Sequence, residues 1–206
     1  AKEIPDKYKD PNHNWTGVYV GVLGFCSNKK VLDERGLAVP ESWSDLLKPE
    51  LKGQVSTAHP STSGTAFTTL WTQVVLRGSE DAGLDYMKKL HANVLQYTKS
   101  GTAPGQIAGR GEVAVGLVFS HDCVKYRDEG MKDLVVSFPK EGTGYEVGGV
   151  ALVKNSKHSE AAKKYIDWAI SADAQNLGQT VGSNQIPTNP NAKTNDKMAK
   201  LNEINL

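Results

Sequence analysis

The sequence predicts an α/β fold in which a largely parallel central sheet is flanked by helices. Short apolar segments alternate along the chain with segments of helical apolar spacing, and such alternation favours a parallel sheet. Trp15–Cys26 has apolar residues on both faces of a strand, so we expect it to be buried on both sides. The 206 residues suffice for one or two domains with a core of useful size.

Each element follows from a local pattern of this kind. The predicted strands are Trp15–Cys26, the short segment at Ser56, Val94–Thr98, Val113–Phe119, Leu134–Phe138 and Glu146–Val153, with an extended segment Asn184–Asn191. The predicted helices are Glu41–Leu47, one that begins near Thr65, Ser79–His91, one around Ile107 and Ala108, Ala161–Gly178 and a last one over Lys197–Ile204. Residues 1–14 are polar and predict an irregular lead-in.

The apolar spacing also predicts which side chains the helices bury. The helix near Thr65 should have one apolar face, formed by Phe67, Leu70, Trp71, Val74 and Val75. The helix Ser79–His91 should bury Leu84, Met87 and Leu90. The helix Ala161–Gly178 should bury Ala162, Tyr165, Ile166, Ala169 and Ile170.

Composition excludes several classes of function. The chain has 24 Lys and Arg against 23 Asp and Glu, and it has no basic stripe with interleaved aromatic residues, which argues against nucleic-acid binding. Apolar runs such as Val18–Cys26 and Val113–Phe119 are far too short to span a membrane. No signal-peptide pattern occurs at Ala1, so we expect a soluble chain, or the mature or trimmed form of an exported protein.

The two cysteines, Cys26 and Cys123, are compatible with one disulfide or with two buried thiols. Their spacing contains no CxxC pair, which excludes a zinc ribbon and a thioredoxin-type redox site.

Small hydroxylated residues precede the helix near Thr65. Ser61, Thr62, Ser63, Gly64 and Thr65 are residue types that cap a helix, or that offer hydroxyl groups and the N–H groups of Ser63–Thr65 to an anion. An ordinary capped helix and an anion site both fit this stretch.

Polar clusters follow three predicted strands, at Pro60–Thr65, Ser100–Thr102 and Ser120–Asp122. In open α/β sheets, ligands bind outside the carboxyl ends of the strands. The first two clusters suit phosphate or carboxylate oxygens. In the third, His121 and Asp122 suit the hydroxyl groups of a sugar or a metal, although a helix-capping turn is an alternative.

Enzyme motifs are mostly missing, since the sequence has no GxSxG, no HExxH and no Walker loop. Gly142-Thr143-Gly144 lacks the third glycine of a dinucleotide fingerprint. A metal site built from His59, His121, Asp122 and Cys123 is an alternative, but its spacing is not specific. A small hydrolase with His121 as general base is a second alternative.

Five stretches together resemble a known family. They are Trp15–Asn28, PESWSDLLKPELKGQV, HPSTSGTAF, EVAVGLVFSHD and GTGYEVGGVALVKNSKHSEAAKKYIDW. In combination they resemble periplasmic solute-binding proteins of bacterial ABC importers, in the branch of ferric-ion, aminoethylphosphonate and hexose-phosphate binders. The resemblance implies a type II periplasmic-binding-protein lobe from a hinged, bilobed fold that closes like a Venus flytrap on an anionic small molecule. It further implies delivery to an inner-membrane ABC permease, with no catalysis and no cofactor.

The resemblance also implies a ligand class and a set of contacts. Ferric-binding relatives have two adjacent tyrosines where this chain has His121 and Asp122, which argues against iron, although a ferric or other metal-ion importer subunit stays an alternative. A sugar phosphate is favoured. His121, Asp122 and Glu146 would contact the sugar, and the phosphate contacts would be Thr62, Ser63, Gly64 and Thr65, with Ser100 and Thr102 as further donors.

Members of this family carry most of their first lobe before the point at which this sequence begins. We therefore expect a lead-in and hinge strand at residues 1–19, a second ligand-binding lobe at 20–147, a strand and helix of the first lobe at 148–190, and a tail helix at 191–206. An uncovered apolar face at 148–182 would favour a homodimer or element exchange. The resemblance implies a periplasmic location, or an extracytoplasmic lipoprotein.

Overall fold

The computed structural model describes residues 2–206. Its strands are β1 (Thr16–Asn28), β2 (Val55–Ala58), β3 (Val94–Thr98), β4 (Val115–Phe119), β5 (Leu134–Ser137), β6 (Tyr145–Val150) and β7 (Ile186–Pro187). Its α-helices are α1 (Lys29–Glu34), α2 (Gly64–Arg77), α3 (Glu80–His91), α4 (Ala103–Gly109), α5 (Ser120–Asp128), α6 (Ser159–Ala169) and α7 (Ala172–Thr180). Short 3-10 helices occupy Asp6–Tyr8, Trp43–Leu47 and Pro49–Leu51.

The chain divides into two compact units. Unit 1 contains the chain up to Gly21 together with Glu146–Met198, and unit 2 contains Val22–Tyr145 together with Ala199–Leu206. Strand β1 therefore begins in unit 1 and ends in unit 2. The assignment of these units to lobes of a larger protein stays a prediction.

Unit 2 is built on a mixed sheet with the strand order β3-β2-β4-β1-β5. Strand β2 pairs in parallel with β3 and with β4, whereas β1 is antiparallel to β4 and to β5. Thus β1 is the one strand of these five that is antiparallel to the rest. Helices flank the sheet. The predicted α/β fold is confirmed, including the burial of β1 on both faces.

Each face of this sheet carries its own core. On one face, Trp43 fills the centre, with its ring 5.0 Å from that of Phe25 and 6.3 Å from that of Tyr86. Its indole N–H donates to the Gly142 carbonyl oxygen at 2.9 Å, so the buried polar atom of the ring is satisfied. The opposite face packs under α4 and α5; its buried residues are Cys26, Ile107, Ala108, Val113, Val118, Cys123, Tyr126 and Leu134.

Unit 1 is smaller and is organised around the first half of β1. Strand β7 pairs antiparallel with β1 at Tyr19 and Val20, and β6 also pairs with β1. Asn189 ties this unit together, because its side-chain amide donates to the Ile170 carbonyl oxygen and to the Glu3 carboxylate, each at 2.9 Å.

Helix α2 exposes three of the five side chains of its predicted apolar face, and the other two, Leu70 and Val74, are half-buried. Phe67, Trp71 and Val75 are 56, 54 and 63% exposed, whereas the buried residues of the helix are Ala66, Thr69, Thr72 and Gln73. The small face is buried because α2 packs closely against its neighbours. A Cβ atom added at Gly83 of α3 would lie 2.8 Å from the Cα atom of Val74.

The hydroxyl groups of the buried threonines of α2 donate hydrogen bonds to carbonyl oxygens of the same helix. Thr69 Oγ1 donates to the Thr65 carbonyl oxygen at 3.0 Å, and Thr72 Oγ1 donates to the Thr68 carbonyl oxygen at 2.7 Å. Such i−4 hydrogen bonds remove the cost of burying a hydroxyl group. This explains how the two threonines can pack inward here.

Two burial predictions hold only in part. In α3, Leu90 is buried as predicted and Met87 is half-buried against the core, whereas Leu84 is exposed and Tyr86 is buried instead.

The predicted helix Ala161–Gly178 is two helices, α6 and α7. Of its predicted buried residues, Ile170 is buried, Ala162, Ile166 and Ala169 are half-buried, and Tyr165 is exposed. Ser171 caps α7, its Oγ accepting a hydrogen bond from the Ala174 N–H, and it thereby ends the continuous helix.

The predicted tail helix at Lys197–Ile204, within residues 191–206, is replaced by turns. Asn195 Oδ1 accepts hydrogen bonds from the N–H groups of Lys197 and Met198 at 2.9 and 3.2 Å. An asparagine side chain that binds the following N–H groups favours a turn over a helix.

Within residues 2–206, no helix is long and apolar enough to cross a membrane.

Candidate functional site

The loop between β2 and α2 carries the first hydroxyl cluster. Ser63 is the N-cap of α2, and its side chain caps the first turn of the helix. The N–H groups of Thr62 and Ser63 donate to the His59 carbonyl oxygen at 3.0 and 3.1 Å. The helix begins at Gly64, so the N–H groups of Gly64 and Thr65 have no acceptor within the helix. These two groups are what the start of the helix offers to an anion.

The loop after β3, Lys99–Thr102, lies directly against this first loop. A Cβ atom added at Gly101 would lie 2.7 Å from both Ser63 Oγ and Thr65 Cβ, and closer still to Thr65 Oγ1. Thr62 Oγ1 lies 3.3 Å from the Lys99 carbonyl oxygen. Only glycine permits this approach of the backbone. The two hydroxyl clusters therefore form one continuous polar surface.

Ser100 and Thr102 form a hydroxyl pair within the second loop. Their side-chain oxygens lie 2.9 Å apart, and Ser100 Oγ also accepts the Thr102 N–H at 3.3 Å. Because either hydroxyl group can be the donor of the pair, the second cluster can reorient to donate to a ligand.

His121 and Asp122 lie in the first turn of α5. The N-cap of this helix is Phe119, which makes no side-chain capping hydrogen bond, so neither His121 nor Asp122 occupies the capping position. The imidazole stacks on the Phe119 ring, with centroids 5.7 Å apart and an interplanar angle of 7°. Both polar side chains are mostly buried, with 13 and 16% of their surface exposed.

Burial lowers the pKa of His121 from 6.5 to about 4, because a charged imidazole loses its hydration there. The ring is therefore neutral near pH 7. The distance of 3.8 Å from His121 Nε2 to Asp122 Oδ2 is accordingly not that of an ion pair at neutral pH. A neutral imidazole beside a carboxylate offers both hydrogen-bond donors and acceptors, which suits hydroxyl groups.

The sheet topology puts the three clusters at one edge of unit 2. Strands β3, β2 and β4 are neighbours in that order and run in the same direction. The loops that contain Ser63 and Gly101 and the first turn of α5 each follow the carboxyl end of one of these strands. Such an edge is where open α/β sheets bind their ligands.

Glu146, the third predicted sugar contact, belongs to unit 1. It lies on β6 and is half-buried, and its Oε1 accepts a hydrogen bond of 3.3 Å from the Tyr19 hydroxyl group. Burial raises the pKa of Glu146, and the hydrogen bond from Tyr19 lowers it by less.

The alternative metal site loses one of its ligands. Cys123 forms a disulfide with Cys26, with an S–S distance of 2.00 Å, so it has no thiolate to offer a metal. Among residues 2–206 there is no group of three or more His, Cys, Asp or Glu side chains that could hold a metal ion. Of the two readings open for the cysteines, the structure has the disulfide.

The segment Gly142-Thr143-Gly144 has a structural role that the sequence analysis did not predict. Thr143 Oγ1 donates to the Leu23 carbonyl oxygen and its N–H donates to the Asn205 carbonyl oxygen, each at 2.9 Å. A Cβ atom added at Gly144 would collide with the side chains of α2. The segment thus holds the C-terminal residues beside α2.

An apolar groove lies between α2 and this segment. Its volume is about 300 Å³. The residues that line it are Thr68, Trp71, Thr72, Val75, Leu76, Glu141, Gly142, Thr143, Gly144, Tyr145, Asn205 and Leu206. Helical spacing could not reveal this groove, since it defines the apolar face of α2 but not what lies against that face.

Comparison with known proteins identifies relatives of this chain. A protein of Haemophilus influenzae, itself uncharacterised, is 40% identical over 211 residues, which covers 99% of this chain and 60% of the relative. A spermidine/putrescine-binding periplasmic protein of Salmonella typhimurium is 27% identical over 188 residues, which covers 87% of this chain and 52% of the relative. The chain thus spans less than two thirds of the length of these relatives.

Among solved structures, the periplasmic binding protein AfuA of Actinobacillus pleuropneumoniae, with exogenous fructose-6-phosphate bound, matches with a TM-score of 0.93 and 38% identity. The match covers 100% of this chain and 66% of AfuA. Residues 1–205 match the family described as bacterial extracellular solute-binding protein. This match covers nearly the whole chain, and the chain therefore belongs to the family of bacterial extracellular solute-binding proteins.

Proposed function

We propose that this chain is part of the ligand-binding component of an ABC importer, which captures a phosphorylated organic anion in the periplasm. A sugar phosphate is the favoured ligand, and an inner-membrane permease receives it. The observation that carries the proposal is the close approach of Gly101 to Ser63 and Thr65, which joins two hydroxyl loops into one surface.

The phosphate would bind at this surface. The donors available there are the N–H groups of Gly64 and Thr65 and the hydroxyl groups of Thr62, Ser63, Thr65, Ser100 and Thr102. N–H groups at the start of a helix, helped by the helix dipole, bind phosphate oxygens well.

The sugar would bind beside the phosphate. His121 and Asp122 follow β4, which is the neighbour of β2 in the sheet, and a neutral imidazole with a carboxylate can hold vicinal hydroxyl groups. Glu146 is the third proposed sugar contact, on the resemblance of the sequence. AfuA, which was solved with fructose-6-phosphate bound, is a relative that supports this ligand class.

A thermal-shift panel tests the ligand class. The panel contains fructose 6-phosphate, fructose, inorganic phosphate, aminoethylphosphonate, spermidine and ferric ion, each at rising concentration. A ligand that binds the native state alone raises the melting temperature in step with its concentration. We expect the largest rise with fructose 6-phosphate and a smaller one with inorganic phosphate. A rise with spermidine or ferric ion alone would contradict the proposal.

Substitution of the third cluster tests the division of the site. His121→Ala or Asp122→Ala should weaken binding of fructose 6-phosphate by about 1–3 kcal/mol, because each change leaves a buried ligand hydroxyl group without a partner. Inorganic phosphate should bind both variants as well as it binds the parent. Isothermal titration of the two ligands measures this difference, and an equal loss for both would show that the pair is structural.

A further inference from the structure

The disulfide connects the middle of the sheet to the site-bearing helix. Cys26 is fully buried in β1, opposite Gly116 of β4 on one side and Val136 of β5 on the other. Cys123 lies in α5, directly after Asp122. The covalent bond therefore ends next to Asp122, one of the three proposed sugar contacts.

The disulfide anchors the first turn of α5 covalently. The helix has only 9 residues, and its N-cap, Phe119, makes no side-chain capping hydrogen bond. Short helices without caps fray at their ends. The turn begins with three polar residues, Ser120-His121-Asp122, and Cys123 is its first buried apolar residue.

The second half of α5 is held in another way. Tyr126 is buried, and a Cβ atom added at Gly105 of α4 would lie 3.0 Å from the Tyr126 ring, so the two helices pack tightly there. Packing thus fixes the end of α5, and the disulfide adds a covalent link near its start.

We propose that the Cys26–Cys123 disulfide is a positioning element of the ligand site, which holds the first turn of α5 so that His121 and Asp122 keep their places beside Phe119. The link to sugar-phosphate binding rests on the function proposed above. The positioning itself concerns only the geometry of this turn.

The burial of His121 reports on this turn. The imidazole is sheltered by its stack on Phe119, which lies in the strand, whereas His121 lies in the helix. If the turn loosens, the ring gains water and its pKa rises from about 4 towards the ordinary 6.5. Asp122, at 3.8 Å, would move with the same turn.

The test compares the parent with Cys26→Ala/Cys123→Ala by following the ring resonances of each histidine by NMR as the pH is lowered. We expect the His121 midpoint to rise by at least about one pH unit in the variant, since its shelter is lost. The other histidines serve as internal references. Ile107→Ala is the matched control, because Ile107 belongs to the same buried cluster and its loss leaves the disulfide intact.

In the control, the melting temperature should fall while the His121 midpoint stays at its parental value. An unchanged His121 midpoint in the folded cysteine variant overturns the proposal. An equal rise in Ile107→Ala also overturns it, since the effect would then belong to the whole cluster. If the cysteine variant does not fold, the same titration is made on the parent after reduction by a dithiol, which gives up two electrons and two protons and becomes a disulfide itself. Failure of both to fold overturns the proposal, because the bond would then hold the whole unit.

Titration of the same samples with fructose 6-phosphate and inorganic phosphate keeps the two proposals apart. We expect the cysteine variant to bind fructose 6-phosphate at least about threefold more weakly, a loss of about 0.7 kcal/mol, with its affinity for inorganic phosphate unchanged. A parent that binds neither ligand contradicts the proposed function and leaves the His121 titration to decide the positioning.

Discussion

At the residue scale, a single glycine decides whether the two hydroxyl loops form one surface. Gly101 has no side chain to separate them, and its backbone reaches the side chains of Ser63 and Thr65. The sequence marks this position only as a glycine between two hydroxylated residues. Its importance comes from contacts with residues far away along the chain.

The change Gly101→Ala tests this contact. The added methyl group would force the loops apart, and we expect the affinity for inorganic phosphate to fall about tenfold, or about 1.4 kcal/mol. Gly178→Ala is the control, because the nearest atom to its added Cβ would lie at an ordinary 3.5 Å. Isothermal titration of both variants measures the effect. Parental phosphate affinity in Gly101→Ala would show that the joined surface does not bind the anion.

His121 gives the folded state a distinctive pH dependence. Its pKa is about 4 in the folded chain against 6.5 ordinarily, so between these values the unfolded state binds a proton that the folded state refuses. Stability should be complete above pH 6.5, fall as the pH drops towards 4, and level off below it. The loss from this group should reach about 3 kcal/mol.

Urea unfolding of the parent and of His121→Asn at several pH values measures this contribution. The variant should lose less stability than the parent between pH 6.5 and 4. His158→Asn, a change at an exposed histidine, controls for the removal of an imidazole in general. Parallel pH profiles for the parent and His121→Asn would mean that the ring is not sheltered.

At the element scale, α2 shows that an apolar stripe does not tell which face packs inward. The stripe that contains Phe67 and Trp71 faces outward, whereas the threonine face packs against the rest of unit 2. The inward face must be narrow, because Val74 and Thr72 meet glycine backbone at Gly83 and Gly144. Large side chains do not fit at such distances.

This orientation predicts that truncation of a large apolar side chain of α2 lowers the free energy of unfolding by less than truncation of a buried leucine of α3. Phe67→Ala should lower the free energy of unfolding by less than about 1 kcal/mol, since much of the ring is already in water. Leu90→Ala, at a fully buried leucine of α3, should cost about 2–5 kcal/mol. Denaturant unfolding of the two variants gives the comparison. A large loss in Phe67→Ala would mean that the stripe is covered in solution.

At the scale of the whole molecule, unit 1 leaves its helices uncovered. Tyr165 and Trp168 of α6 are 61 and 51% exposed, and their rings lie 5.6 Å apart. Leu177 and Val181 are also exposed. Exposed apolar side chains in such numbers are typical of surfaces that contact another chain.

We therefore propose that this chain forms a homodimer, or exchanges an element with a second copy, through residues 148–182. Light scattering over a range of concentrations should detect a dimer. Tyr165→Lys/Trp168→Lys should shift the population towards the monomer, because the substitution places two charges on the proposed interface. Leu206→Lys, at an exposed residue of unit 2, is the control and should leave the dimer unchanged. A monomeric parent at high concentration contradicts this proposal.

The sequence by itself determined the fold class and most of the elements. Strand β3 coincides with the prediction, and β1 and β4 differ from it only at their ends, since these elements follow from local patterns of apolar residues. The resemblance of the motifs led to the same family as the comparisons. The sequence also predicted that His121, Asp122 and the hydroxylated loops follow strands, because the residues that form turns are recognised from local sequence.

Only the tertiary structure decided the outward orientation of α2, the contact between Gly101 and the first loop, and the bond between Cys26 and Cys123. The periodicity of a helix defines its faces but does not define what packs on them, and spacing along the chain does not define distance in space. The antiparallel direction of β1 was likewise decided only by the tertiary structure. Each of these features depends on contacts between residues distant in sequence, which no local pattern encodes.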